Sequence, residues 1–147
     1  MADNSLEMHE PVHQHRCRVI YGDTDAGGVV YYANYLRYCE AARTEFMRDR
    51  ALSYKEIEEQ GFILPVVECQ LRYKASARYD DLLRIETCLL EVKPRTCRFN
   101  YRIFRESDGK MLAQGYTIHA IVDLKGRLAR FPDKLLAALL EQSPSVL

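Results

Sequence analysis

No two cysteines in the chain stand in C-x-x-C spacing. Five are present, at positions 17, 39, 69, 88 and 97. An odd count without ligand spacing argues against both a disulfide framework and a structural zinc site. Cys17, Cys39, Cys69, Cys88 and Cys97 therefore read as small buried hydrophobes in a reducing compartment. A cationic, apolar leader is missing too. Met1 to Gln14 is polar, with Asp3, Glu7 and Glu10, which excludes a signal peptide. No run approaches the roughly 18 apolar residues of a membrane span. Net charge is absent, with 21 basic against 21 acidic residues, so no global field attracts nucleic acid or anionic lipid. Repeats, low-complexity tracts and linkers are lacking as well. Together these absences predict a cytoplasmic protein.

What remains is an ordinary globular composition, 48% hydrophobic and 29% charged, over 147 residues. That length buries a core without metal or disulfide staples. The expected organisation is a flexible N-terminal arm over 1–12 and a single domain over 13–147.

The first strand is predicted from His15 to Tyr21, followed by a glycine-bearing loop from Gly22 to Gly28. From about Asn34 to Arg50 the pattern is helical. Tyr35, Cys39, Ala42 and Phe46 fall at i, i+4, i+7 and i+11 on one face, with Arg37, Glu40, Arg43 and Arg48 largely off it. Asn34 is the expected N-cap. Ser53 and Glu56 form a capping-box pattern for a second short helix, which Gly61 ends.

The period then becomes two. Val67, Cys69, Leu71 and Tyr73 alternate with polar residues, as do Leu83, Ile85, Thr87 and Leu89, and then Cys97, Phe99, Tyr101 and Ile103. Leu112, Gln114, Tyr116, Ile118, Ala120 and Val122 give a longer strand with a mostly apolar face. Pro94 marks one turn, and Ser107-Asp108-Gly109 makes a hairpin. A short helix is expected from Pro132 to Gln142. One long helix with one apolar stripe needs an apolar sheet face to cover it. The pattern therefore predicts an α+β fold, an antiparallel sheet wrapped around one long central helix.

The chemistry concentrates in Tyr21-Gly22-Asp23-Thr24-Asp25-Ala26-Gly27-Gly28-Val29-Val30-Tyr31-Tyr32-Ala33-Asn34-Tyr35. Carboxylates here sit on a glycine-containing loop just before the long helix. Helix starts carry unpaired N–H groups and the positive dipole end, which suit an oxyanion. A carboxylate beside them can activate water or attack a carbonyl. On spacing alone, a turn with an acidic cap is the better account of Asp23 and Asp25, because D-x-D loops are common. The further acidic ligands of a calcium loop are missing, so no metal is expected.

The same stretch resembles the signature of the 4-hydroxybenzoyl-CoA thioesterase superfamily, in particular the Tol-Pal-associated acyl-CoA thioesterase branch. That signature, D-x-D-x-x-G-h-V-Y/W-x-x-N-Y, is matched by Asp23, Asp25, Gly28, Val30, Tyr31, Asn34 and Tyr35. The resemblance continues through Glu40-Ala41-Ala42-Arg43 and resumes at Ala77-Arg78-Tyr79-Asp80-Asp81-Leu82, covering most of residues 16 to 125. It implies a hotdog fold and an acyl-CoA thioesterase that needs no cofactor. Asp25 takes the place of the catalytic carboxylate, as general base or nucleophile. Tyr32 takes the place whose backbone N–H polarises the thioester carbonyl, and Tyr21 matches a tyrosine often found near the site. Tol-Pal-associated members usually carry histidine where this chain has Tyr32, and the 4-hydroxybenzoyl-CoA enzyme carries tyrosine there.

Coenzyme A brings a pyrophosphate and a 3′-phosphate, which call for local cations. The resemblance points to Lys93, Arg95 and Arg98 around the Pro94 turn, with Arg127 and Arg130 as a second group. It also implies a homodimer or homotetramer. Glu40 lies between Arg37 and Arg43 at helical pairing distance and reads as a structural ion pair. His9, His13, His15 and His119 have no nucleophile partner legible in the sequence. The competing class is a non-catalytic acyl-binding or scaffold protein of the same fold. A dehydratase comes third, because no histidine lies near Asp25 in the sequence.

Overall fold

A computed structural model describes residues 6–143. Strand β1 spans His13–Arg18, helix α1 Asn34–Arg50 and helix α2 Tyr54–Glu59. Strands β2 (Phe62–Ile63), β3 (Val66–Tyr73), β4 (Leu82–Val92), β5 (Thr96–Arg105), β6 (Met111–Ala120) and β7 (Val122–Asp123) follow, and helix α3 (Asp133–Glu141) closes the order. Five strands form one sheet in the order β1-β4-β5-β6-β3, and every neighbouring pair is antiparallel. Strands β2 and β7 make a separate two-stranded ladder.

Helix α1 lies on one face of this sheet, mainly over β1 and β4. Its predicted stripe is buried: Tyr35, Cys39, Ala42 and Phe46 are all sequestered, joined by Tyr38 and Met47. Phe46 meets Phe99 of β5 edge to face at 5.6 Å. The matching sheet residues Leu83, Ile85, Thr87 and Leu89, and Cys97, Phe99, Tyr101 and Ile103, are buried as the alternation predicts. Arg37 stays exposed. The second helix is also capped as its sequence reads, with Ser53 Oγ accepting from the Glu56 N–H at 3.1 Å and Gly61 at φ +91° beyond its end.

Several expectations fail, each for a visible reason. Strand β1 stops at Arg18, because the chain turns into a 3-10 turn at Tyr21–Asp23 to start the loop. Tyr21 is consequently exposed rather than paired. Asn34 is the first helical residue and does not cap. Ala33 holds the cap position without a side-chain bond, and Asn34 Nδ2 donates instead to the Asp23 carbonyl at 2.9 Å.

The face of β6 is inverted. Register pairs Ala113 with Ile103, Gly115 with Tyr101, Thr117 with Phe99 and His119 with Cys97, so these small or polar residues face the helix. Tyr116 and Ile118 lie on the outer side. Gly115 is required there, since a Cβ would stand 1.9 Å from the Gln70 carbonyl oxygen of β3. The polar members are satisfied by a chain of bonds. Arg43 Nη1 donates to Tyr101 Oη at 3.1 Å, Tyr101 and Thr117 hydroxyls meet at 2.6 Å, and Thr117 Oγ1 meets His119 Nε2 at 2.8 Å. His119 Nδ1 lies 3.0 Å from the Leu64 carbonyl, which can only accept, so the proton sits on Nδ1.

Strand β3 is an edge strand whose expected apolar face is mostly open: Val67, Cys69 and Tyr73 are exposed, and only Leu71 packs against the core. On the outer face, Asn100 Nδ2 donates to the Glu7 carbonyl, Arg102 Nη2 to the Leu6 carbonyl, and Leu6 N to Gln114 Oε1. Residues 6 and 7 of the expected arm thus lie across β5 and β6, while residues 1–5 fall outside the described residues.

Candidate functional site

The loop before α1 is a compact hairpin. Thr24 and Val30 form a bridge, Asp25 N donates to the Val29 carbonyl at 2.9 Å, and Gly28 N donates back to the Asp25 carbonyl at 3.0 Å. Gly28 sits at φ +78°, a conformation side-chain-bearing residues rarely adopt. The reversal presents Asp25 at the tip. Its Oδ1 accepts from Gly27 N at 2.8 Å, and the carboxylate is otherwise open to solvent.

Asp25 borders a cavity of about 320 Å³ shared with Val30, Tyr32, Tyr35, Tyr73 and Lys74. Tyr35 is buried, and its hydroxyl accepts from Ala77 N at 2.9 Å, while Val30 N donates to the Ala77 carbonyl. Tyr73 Oη donates to the Tyr32 carbonyl at 2.9 Å. The helix start is thereby tied to the segment that follows β3. Burial raises the phenol pKa of Tyr35 and Tyr73, so both are neutral donors at physiological pH. The Tyr31 phenol is raised mainly by its hydrogen bond with Tyr32.

The backbone at the start of α1 leaves two donors free. Asn34 N, Tyr35 N and Leu36 N turn back to the carbonyls of Tyr31, Tyr32 and Ala33, and Tyr31 N donates to the Asp23 carbonyl. The N–H groups of Tyr32 and Ala33 have no acceptor among the described residues. Two adjacent unpaired donors at a helix N-terminus can stabilise negative charge developing on an oxygen.

The other sequence candidates scatter. Tyr21 packs edge to face on Tyr79 at 5.5 Å and is not among the residues lining the Asp25 cavity. Lys93 pairs with Glu91 at 2.9 Å. Arg95 is exposed, and Arg98 lies 4.0 Å over the Tyr116 ring with Nε donating to Asn100 Oδ1. Lys93 and Arg98 share a pocket of about 160 Å³. That pocket is at the far end of β4 from Asp81, whose carbonyl accepts from Val19 beside the loop. The 11 residues of β4 put roughly 35 Å between the two places. Arg127 is held by Asp123 at 2.8 Å.

The helical ion pairs expected around Glu40 do not form. Arg37 turns to Asp23 and Arg43 to Tyr101, which leaves Glu40 without an ion partner among the described residues. No histidine lines the Asp25 cavity. His119 is buried, which lowers its pKa to about 4.

Sequence reasoning gave Tyr38, Tyr73 and Lys74 no place at the site, and gave Asp23 no role beyond an acidic cap and a match to the signature. Asp23 is 2% exposed. Its Oδ2 accepts from Tyr38 Oη at 2.9 Å and from Ile20 N at 3.2 Å. Arg37 Nη2 lies 3.1 Å from Oδ1 without hydrogen-bond alignment, so it acts there as a charge. Burial, then the bond to Asp23, pushes the Tyr38 phenol well above its ordinary range. Lys74 borders the Asp25 cavity with no acidic partner among the described residues. Only the D-x-D pattern could have flagged any of these four.

An antiparallel sheet packed on one long helix defines a hotdog-fold protein. Residues 19–139 match the family model described as the thioesterase-like superfamily, and the chain belongs to that family. The acyl-CoA thioesterase YbgC of Haemophilus influenzae is 42% identical over 123 residues, covering 82% of this chain and 89% of that protein. The acyl-CoA thioester hydrolase YbgC of Escherichia coli O6:H1 is 34% identical over 121 residues, covering 82% and 90%. Among solved structures, a hypothetical protein from Thermus thermophilus superposes with a TM-score of 0.84 at 37% identity, covering 89% of this chain and 97% of that one.

Proposed function

We propose that the chain is an acyl-CoA thioesterase, with Asp25 as the reacting carboxylate and the N–H groups of Tyr32 and Ala33 as its oxyanion hole. The observation that carries this reading is an exposed carboxylate on one cavity with Tyr32, whose amide, like that of the adjacent Ala33, has no acceptor among the described residues. The thioester carbonyl lies against the helix start, and its oxygen takes up negative charge as the carbonyl carbon is attacked. Asp25 removes a proton from the attacking water, or attacks directly to form a mixed anhydride that water then opens. Either way the C–S bond breaks, the thiolate of coenzyme A leaves, and the free acid remains. Neither route calls on a metal or redox cofactor.

Phosphate recognition needs cations, and within one protomer Lys93, Arg95 and Arg98 are too distant. A homodimer removes the difficulty. Strand β3 ends the sheet with exposed Val66, Val67 and Tyr73, while the other edge, β1, is written His13-Gln14-His15-Arg16-Cys17-Arg18 and is poorly suited to pairing. Antiparallel pairing of β3 with its copy sets Tyr73, at the Asp25 cavity, beside Val66 of the second copy. Val66 is in register with His119 and so with Cys97, next to the Lys93–Thr96 turn. Three strand spacings, roughly 15 Å, then separate one copy's carboxylate from the other's cations. A cytoplasmic homodimer, or a tetramer of two such pairs, is the assembly this reading requires.

Thiol release from a panel of acyl-CoAs, followed with a thiol reagent, tests the activity. Asp25→Asn keeps size and much of the hydrogen bonding but removes charge and basicity, so kcat should fall by roughly 10²–10⁴. Hydrolysis by the parent and equal hydrolysis by the variant would remove Asp25 from the mechanism. No hydrolysis of any acyl-CoA would favour the acyl-binding or scaffold reading.

A further inference from the structure

We propose that Asp23 is a positioning residue, holding the Asp25 carboxylate and the free N–H groups of Tyr32 and Ala33 in one fixed arrangement. This rests on the reading of Asp25 as the reacting carboxylate. The inference comes from what residue 23 ties together. Its carboxylate accepts from Ile20 N at 3.2 Å, at the entry to the loop, and from Tyr38 Oη at 2.9 Å, one turn into α1. The Arg37 guanidinium stands 3.1 Å away as its counter-charge. Its carbonyl accepts from Tyr31 N at 2.9 Å, at the exit of the loop, and from Asn34 Nδ2 at 2.9 Å, at the first helical residue. One residue thus grips both ends of the loop that carries Asp25, together with Asn34, Arg37 and Tyr38 in the first turns of the helix.

The arrangement also selects which amides stay free. With Tyr31 N engaged by Asp23, and Asn34 N turned to the Tyr31 carbonyl, the unpaired donors are those of Tyr32 and Ala33. A carboxylate only 2% exposed is tolerated because three partners surround it, and removing its charge loosens all of them together. The loop has little else to fix it to α1. Asp25 has one side-chain contact, from Gly27 within the same turn. A shift of the order of 1 Å in a reacting group is enough to cost about 10²-fold in rate.

The test is a double-mutant cycle on the full chain, with melting curves measured for every variant. Asp23→Asn should lower kcat about 10- to 100-fold while KM stays within about threefold, because orientation of the reacting groups is lost and not substrate affinity. In the Asp25→Asn background the same change should cost no more than about threefold, since only the amide donors are then left to position. A general structural defect behaves differently, reducing both backgrounds by the same factor, and that result would overturn the proposal. So would an Asp23→Asn enzyme within about twofold of the parent. Should Asp23→Asn fail to fold, Tyr38→Phe removes one contact from the helix side. It should lower kcat about three- to tenfold in the parent and by a clearly smaller factor in Asp25→Asn, and parental activity would overturn the proposal. An Asp25→Asn enzyme with full activity sinks the reading of Asp25 and this proposal together. An inactive Asp25→Asn beside a neutral Asp23→Asn sinks this proposal alone.

Discussion

Asp25 keeps its carboxylate in solvent with one backbone donor on it, whereas Asp23, two residues earlier, is enclosed by a phenol, an amide and a guanidinium. Carboxylates in such different surroundings do different work. The exposed one is free to meet a substrate, and the enclosed one is committed to the fold of the loop. Tyr32 divides in the same way. Its backbone N–H has no acceptor among the described residues, and its ring is exposed and tilted against Tyr31 at 4.7 Å. Tyr32→Phe should leave kcat within about threefold of the parent, because in the proposed mechanism the donor that meets the oxyanion is the amide. A loss above tenfold in thiol-release assays would bring the phenol itself into the mechanism. Tyr73→Phe releases the Tyr32 carbonyl instead, and gives a matched control that leaves every carboxylate in place.

Between elements, the buried chain Arg43–Tyr101–Thr117–His119 links α1 to β5 and β6. It carries a pH dependence whose sign follows from His119. The folded imidazole titrates near 4, lowered by burial first and then by the Arg43 charge, whereas an unfolded histidine titrates near 6.5. Below about pH 6.5 the unfolded chain therefore holds more protons than the folded one, and stability falls as pH falls toward 4. This one group contributes a slope of up to about 1.4 kcal/mol per pH unit, and contributes none above 6.5. His119→Asn keeps a donor for the Leu64 carbonyl and has nothing to titrate. Urea midpoints at pH 7.5, 5.5 and 4.5 should show a smaller acid loss in the variant, and an unchanged acid slope would refute the assignment.

The same elements show what a sequence discloses. Helix α1 was legible in extent, though not in its cap, because its apolar stripe is continuous and the sheet residues opposite alternate cleanly. Strand β6 was misread because pattern registers polarity and not satisfaction. Thr117 and His119 are polar yet face inward with every bond made, while Tyr116 and Ile118 cover the outer face. At the site, Asp25 was legible through a local motif. Asp23 was matched by the same motif, but its burial and partners were not legible, since Arg37 and Tyr38 belong to a helix whose orientation only folding sets. Glu40 misled for the opposite reason: correct spacing to Arg37 and Arg43 counts for nothing once both arginines find other partners.

At the scale of the whole molecule, the question is which subunit supplies the cations. Lys93 and Arg95 follow the far end of β4 from the loop that carries Asp25, and the proposed antiparallel β3 pair would bring the second copy's cations within about 15 Å of that cavity. Replacing both by alanine should raise KM for acyl-CoA much more than it lowers kcat, because phosphate contacts bind ground and transition states alike. The penalty should shrink at high salt. Mixing then decides between same-chain and cross-chain use. Asp25→Asn protein and the Lys93→Ala/Arg95→Ala protein are each defective at every site of their own dimers. Denatured together in equal amounts and refolded, half of the dimers are hybrids. If the cations serve the opposite chain, each hybrid has one site in which Asp25 and the cations are both intact. Activity at low substrate then recovers to about a quarter of the parent's. If the cations serve their own chain, no hybrid contains an intact site and the mixture gives only the average of its two components. Sedimentation at micromolar concentration must show the dimer, twice 17.1 kDa, for either result to be possible. A stable monomer that still hydrolyses acyl-CoA would instead place phosphate recognition on cations beside Asp25 in the same chain, with Lys74 the first to replace.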